Sequence, residues 1–399
     1  MNRLTRSRTR GRKSGGREAG LTLVELMVSI LLASILSGGL FYLLSGQSKT
    51  YDQQFSTLTV QENLWGAMEF IQRQIRLAGY GGAGSCPNGT IQIIPSGTVW
   101  PAFRHFNDCD IRSSTISSCS ATTNNVDCTC STVGFGSDSF AVVYADPSQA
   151  LGGGLQAARI TNQAGSSDNF FVTSIAGFNV CDLIMLWQPG APSQPCTLLM
   201  ITGLNASNNK ITHSPSGSCG GAEALYNPAS FPGSPYSKGS LVAKVGGTAA
   251  GAGPRYFSID RTVTPPRLVT WVTTNANPSA STAWQNETFE VVADGIEDMQ
   301  ISWACNADAD TAGNLTEGAN ASARQTDEWA HNTASDTVPN CGTNKVAAIR
   351  VTLIATSGQE SGNAVPNARP GAEDNPAAGS KTRHVRARLT SIIRPRNIR

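Results

Sequence analysis

The stretch "REAGLTLVELMVSILLASILSGGLF", residues 17–41, sets a single carboxylate, Glu25, near the start of an otherwise apolar run. From Leu26 to Leu44, nineteen consecutive residues are uncharged and mostly apolar. As a helix they span roughly 28 Å, close to the ~30 Å hydrocarbon core of a bilayer. Ahead of them, the first twenty residues hold seven cations against one acid. A leader of that kind keeps an N-terminus in the cytoplasm, because Lys and Arg resist translocation. The last nineteen residues hold seven more cations and no acid, so with a formal net charge of +2 for the chain the segment 21–380 sums to −11. At 399 residues the chain is long enough for one sizeable core or two.

Three readings compete for the apolar segment. A secretory signal has a shorter apolar core and a small-residue cleavage site after it. A plain signal anchor accounts for the length and the leader but gives Glu25 no role. The third reading uses every feature: "GLTLVEL" behind a basic leader and ahead of an unbroken apolar run resembles the type IV pilin or pseudopilin signal. That resemblance implies cleavage between Gly20 and Leu21 by a prepilin peptidase, methylation of the new N-terminus, and a mature chain whose fifth residue is Glu25. An acid inside a membrane segment is expensive unless it is partnered. The amine created at Leu21 of a neighbouring subunit is the partner the family implies. The bland alternative is a carboxylate that snorkels to the interface.

After Leu44 the pattern turns amphipathic. Tyr51, Phe55, Leu58, Trp65, Met68, Ile71, Ile75 and Ala78 recur at helical spacing, with Gln53, Gln54, Glu62, Glu69, Arg73 and Arg76 between them. The expectation is one long helix that continues from the membrane, has weak points at Gly38-Gly39 and Gly46, and packs this stripe on its own head. Gly79, Gly81, Gly82 and Gly84 then stop it. They follow a helix, whereas a phosphate loop should follow a strand.

Beyond Cys86 short β-rich runs alternate with turn-rich loops: 139–145, 197–204, 241–245, 256–260 and 267–274, then 289–305, 346–357 and 383–397. In the last of these Val385, Ala387, Leu389, Ser391 and Ile393 share one face. The trio "VVADGIEDMQ", "AIRVTL" and a basic terminal strand is similar to the closing section of PilW-type minor pilins, and more loosely to the J-type pseudopilin of type II secretion. "IRLAGY" at the helix end resembles the PilW branch as well. Residues 86–288 match no family pattern, which leaves open two subdomains or one heavily decorated sandwich.

All ten cysteines follow the membrane segment, an arrangement that argues for disulfides in an oxidising periplasm. Cys181 with Cys196, and Cys305 with Cys341, are candidate local staples, since each pair closes a loop after a strand. Zinc at Cys109, Cys119, Cys128 and Cys130 lacks the usual C-x₂₋₄-C pairs and histidines. The loop 308–320 fits a calcium template at Asp308, Asp310 and Gly313 but places alanines at 312 and 319. No H-E-x-x-H, G-x-S-x-G or Walker lysine occurs among the motifs. DNA is a weaker reading of the basic C-terminus than a solvated or edge strand.

The expected fold is α+β: a long N-terminal helix, membrane-spanning and then amphipathic, packed on a mainly antiparallel β head with disulfides. The expected organisation is a leader (1–20), a transmembrane half (21–45), an amphipathic half (46–80) and a periplasmic head (81–399, with subdomains near 86–285 and 286–399). The resemblance implies a non-catalytic assembly subunit of the inner membrane and pilus, in a priming or tip complex. Its partners would be other minor and major pilins, the prepilin peptidase/N-methyltransferase and a tip adhesin, with no cofactor or metal. A type II secretion pseudopilin, or a membrane-tethered adhesin or binding protein, are the alternatives.

Overall fold

In the computed structural model the apolar run and the periodic segment after it form one helix, α1 (Leu23–Leu77), 55 residues long, without a break at Gly38, Gly39 or Gly46. The structure describes residues 22–80, 90–93, 98–109, 116–119, 127–130, 136–144, 158–162, 168–191, 196–217, 219–220, 223–227, 236–245, 247–248, 251–252, 254–272, 288–305, 315, 328–331, 346–360, 366–373 and 378–395. The chain falls into two compact units, 1–52 and 53–399. In the first, the described residues are almost wholly helical and exposed. Its apolar window has no side chain buried against protein, and by length and composition it is able to cross a membrane.

The second unit contains the C-terminal half of α1 and the head. Val60, Leu64, Ala67, Met68, Ile71 and Ile75 of the helix, and Ala78 just after it, are buried. Gly79, in the left-handed region at φ 76°, ends the helix, and its amide donates to the Val143 carbonyl at 2.8 Å.

The head is built from β1 (Phe103–Phe106), β2 (Ser139–Val142), β3 (Leu183–Trp187), β4 (Cys196–Met200), β5 (Leu241–Lys244), β6 (Arg255–Asp260), β7 (Arg267–Val272), β8 (Glu290–Asp294), β9 (Ile296–Cys305), β10 (Trp329–Ala330), β11 (Val346–Thr356) and β12 (Arg386–Ile393), with shorter strands around them. Among the described residues one sheet runs β8-β7-β6-β2-β1 and onward through strands 127–130 and 116–119. A second has β5-β3-β4 at its centre, and a third runs β10-β9-β11-β12. Pairing is antiparallel except between β1 and strand 127–130 and between β4 and strand 90–93.

Alternation assigns the layers. In β3, Leu183, Met185 and Trp187 enter the main core, while Ile184 and Leu186 enter a second core on the other face. That strand is buried on both sides and therefore reads as a continuous apolar run. The main core joins α1 to residues of all three sheets, so residues on both sides of position 286 share it.

One predicted strand is divided. Residues 289–305 bend at Gly295 (φ 74°), which puts β8 at the edge of the first sheet and β9 inside the third. A side chain there would meet a backbone oxygen, as described below, so only glycine fits.

Candidate assembly helix and the motif beneath it

At the start of α1 the Thr22 Oγ1 accepts the Glu25 amide at 3.3 Å, which makes Thr22 the N-cap and Glu25 the third helical residue. This is half of a capping box, and its T-x-x-E signature is legible in "TLVE" although the sequence reading gave Glu25 only an assembly role. The Glu25 carboxylate is exposed and stands in the first turn, where the helix dipole favours negative charge. Gly20 and Leu21 lie outside the described residues.

The expected apolar stripe is two stripes. Met68, Ile71, Ile75 and Ala78 are buried in the head, but Phe55, Leu58 and Trp65 are 62, 57 and 63% exposed, and Tyr51 is exposed as well. The reason is angular. A step of four residues advances a side chain by about 40° round the helix, and a step of three sets it back by about 60°. Two successive threes, Trp65 to Met68 to Ile71, carry the pattern about 120° to the other face. Val60, Leu64 and Ala67, which the stripe omitted, belong to the buried side. The outward side carries Phe55, Leu58 and Trp65 among the exposed Glu62, Glu69 and Arg73.

Among the described residues, hydrogen bonds at Asn63, Gln72 and Gln74 fix the buried side to the head. Asn63 Nδ2 donates to the Asp294 carbonyl at 3.0 Å, Gln72 Nε2 to Ser391 Oγ at 2.8 Å, and Tyr144 Oη to Gln74 Oε1 at 2.8 Å. The Ser391 contact confirms the face predicted for the terminal strand: Ala387 and Leu389 pack on the main core beside it and Ile393 is fully buried.

Beneath the helix lies "DGIEDMQ", residues 294–300. A Cβ on Gly295 would stand 2.7 Å from the Thr356 carbonyl oxygen, while the Thr356 amide donates to the Gly295 carbonyl at 2.7 Å. Glu297 forms a bidentate pair with Arg386, at 2.7 Å to Nε and 3.2 Å to Nη2. Asp298, fully buried, accepts from Arg369, Ser137 and Gln300, with the Arg261 guanidinium 3.9 Å away. Burial pushes Arg369 below the usual guanidinium range, with Arg261 next among the causes. A buried carboxylate requires such partners, because removing one leaves an uncompensated charge. On the same face of the third sheet, turned away from the main core, Glu373 accepts from Arg350 Nε and Nη2 at 2.8 and 2.7 Å and from Thr352 at 2.8 Å, tying segment 366–373 over the sheet.

The cysteine expectation needs correcting. Cys181 is bonded to Cys219, across 38 residues with Cα atoms 5.4 Å apart, and not to Cys196. The Cys181 amide donates to the Ile201 carbonyl, and Cys219 Sγ lies 3.6 Å from the same oxygen. The strand end after β4 thus brings the two together, while Cys196 sits at the start of β4 and is itself disulfide-bonded. Cys305 is also disulfide-bonded; Cys341 and nearly all of the calcium-like loop lie outside the described residues. Cys109, weighed as a zinc ligand, is in a disulfide, and the described residues hold no cluster suited to a metal ion.

A membrane-length N-terminal helix whose C-terminal half is packed on a mainly antiparallel, disulfide-bonded β head defines a pilin-like protein. Residues 256–397 match the family described as Type IV Pilus-assembly protein W, and residues 16–41 match the prokaryotic N-terminal methylation motif. The closing section of the chain is thus similar to type IV pilus-assembly proteins of the PilW type, and its start carries a prepilin-type methylation motif. Among solved structures it is similar to a type IV-like pilin from Thermus thermophilus, at 13% identity over 38% of this chain and 71% of that one, with a TM-score of 0.22. No protein of curated function matches it.

Proposed function

We propose that this protein is a non-catalytic subunit of type IV pilus assembly, acting with other minor pilins in a priming or tip complex. The observation that carries the reading is the pair of opposed apolar faces on α1. One face holds the head, and the other offers Phe55, Leu58 and Trp65 to a second helix. Exposed aromatic rings at helical spacing are a recognition surface for an amphipathic helix. The leader, residues 1–20, is removed by prepilin peptidase. Residues 21–45 anchor the chain in the inner membrane with the head in the periplasm, and Glu25 meets the N-terminal amine of a neighbouring subunit.

The test is the double variant Phe55→Glu/Trp65→Glu in cells that lack the native protein. Both positions are exposed, so the head should melt within about 1 kcal/mol of wild type. Surface piliation should be lost, and crosslinking to other pilins with it. Normal piliation with this variant would refute the role of the face. Intact pili with blocked protein secretion would assign the subunit to a pseudopilus instead.

A further inference from the structure

Sheet edges are handled differently across the head. β8, at the edge of the first sheet, has a register shift against β7 and gives its Asp294 carbonyl to Asn63 of α1. β10, one edge of the third sheet, is two residues long. β12, the opposite edge of that sheet, has neither device. It pairs with β11 over eight residues without a bulge, and among the described residues no strand pairs with its outer side. Just before β12 the Ser357 amide donates to the Val385 carbonyl at 2.9 Å. By antiparallel alternation the odd-numbered residues of β12 then bond to β11, and the backbone groups of Arg386, Arg388, Thr390 and Ile392 point away from the sheet.

The core side of this edge is unfinished. Leu353 and Ala355 of β11 are fully buried, whereas Leu389 and Ala387, which face them from β12, are only partly so. α1 flanks the same edge. Asn63 meets Asp294 beside Gly295, level with the Thr356–Arg386 pair, and Gln72 meets Ser391, so helix and strand run in the same direction. Seven residues return a side chain to within about 20° of its start and move it by roughly 10 Å along the axis. Trp65 therefore shares the flank of Gln72 and stands over the first half of β12, with Leu58 two turns before it; both are exposed. This flank and the free strand edge bound a groove. A row of outward amides and carbonyls at strand spacing takes an extended chain rather than a helix. Alternate side chains of such a chain would enter the apolar layer between Trp65 and Leu389. The others would lie beside Arg388, which is exposed and gives Nη1 to the neutral Gly371 carbonyl, in a stretch, 381–399, with seven cations and no acid. Ile392, 55% exposed, lies on that side as well.

We infer that an extended segment of another protein, alternating apolar with acidic side chains, adds to the third sheet beside β12 and closes the core under Trp65. The inference rests on the reading that the outward side of α1 meets other subunits, and it names a strand as the element that enters beside the helix. Phe55, further round α1, stays available to a second helix.

The test uses the full chain in detergent micelles and a fluorescein-labelled peptide of four Val-Glu repeats, followed by anisotropy and by amide exchange along β12. Four Val-Lys repeats, and a Val-Glu peptide with a central proline, are the controls. The Val-Glu peptide should bind and slow exchange at Arg388, Thr390 and Ile392 by at least about tenfold, and neither control should. Thr390→Pro removes an outward amide and spares the ladder to β11, so affinity should fall at least about tenfold. Arg388→Glu, at an exposed position, should weaken binding likewise and serves as the second variant if Thr390→Pro does not fold. Binding without protection of β12, equal binding of the Val-Lys peptide, or undiminished binding by the folded variants would overturn the inference. Dimers of the chain that protect these amides while the peptide does not bind would name a second copy as the occupant and overturn it too. The two readings fail separately. Loss of pili in Phe55→Glu/Trp65→Glu, with no peptide protection in the native chain, sinks the strand alone, whereas protection with normal piliation sinks the assembly role of the face.

Discussion

Gly295→Ala isolates the bend on which the head depends. Two penalties add at this residue. Its φ of 74° lies in the left-handed region, which costs an L-residue about 1–2 kcal/mol. The new methyl would then stand 2.7 Å from the Thr356 carbonyl oxygen. That oxygen cannot swing away freely, because Thr356 donates its own amide to Gly295 and pairs with Arg386 on the far side of β11. Overpacking of this kind costs about 1–3 kcal/mol, giving roughly 2–5 kcal/mol in total. Gly190 supplies the control. Its φ is 79°, but a Cβ there meets nothing within 4 Å, so Gly190→Ala carries the backbone penalty alone. The measurement is urea unfolding of the two variants beside wild type, with amide exchange read at residues 295–298 and 354–358. Gly295→Ala should lose at least about 1 kcal/mol more than Gly190→Ala and open exchange at Thr356. Equal losses for the two variants would refute the claim that the carbonyl approach dictates glycine.

Four further predictions bear on other parts of the chain. Replacing Cys181 and Cys219 by Ser opens a 38-residue tether and should destabilise the head by about 4 kcal/mol; peptide mapping of a Cys196→Ala variant without reductant should still recover the Cys181–Cys219 bridge. His213 is buried and its pKa is lowered to about 4 by desolvation, so the folded state keeps it neutral where the unfolded chain takes a proton near 6.5. Its contribution is complete above pH 6.5 and is lost as pH falls toward 4, at about 1.4 kcal/mol per unit. Thermal melts of a His213→Phe variant should therefore change less than wild type between pH 7 and 5. Finally, mass spectrometry of the mature protein should find N-methyl-Leu21, and an intact leader would exclude the processing. Glu25→Gln separates the two roles of that residue: a glutamine preserves capping but not charge, so loss of piliation in Glu25→Gln assigns the effect to the charge, and normal piliation would refute the pairing with an amine.

Much of this architecture was legible in the chain. The apolar run after the basic leader, the long helical period and the alternation in 386–393 are local patterns, and local patterns survive into the structure because side-chain direction follows from backbone period alone. The prepilin signal is legible for the same reason, and so is the N-cap at Thr22. What failed was information that is not local. The aromatic residues of α1 looked continuous with the buried stripe, because small angular errors add up over several turns and the sequence does not say which side of a helix its own head will take. Residues 289–305 looked like one strand, because the contact that forbids a Cβ at Gly295 comes from Thr356, 61 positions away.

The sequence by itself determined the membrane-length helix, the acid at its start, the β character of the head and the pilin resemblance, since each rests on residue type and spacing within a few turns. Tertiary structure alone decided that Cys181 joins Cys219, that Glu297 and Asp298 are each met by arginines from distant segments, and that α1 has one face in the head and one with Phe55, Leu58 and Trp65 exposed. Those outcomes depend on which strands become neighbours, and sheet order is set by the packing of the whole core.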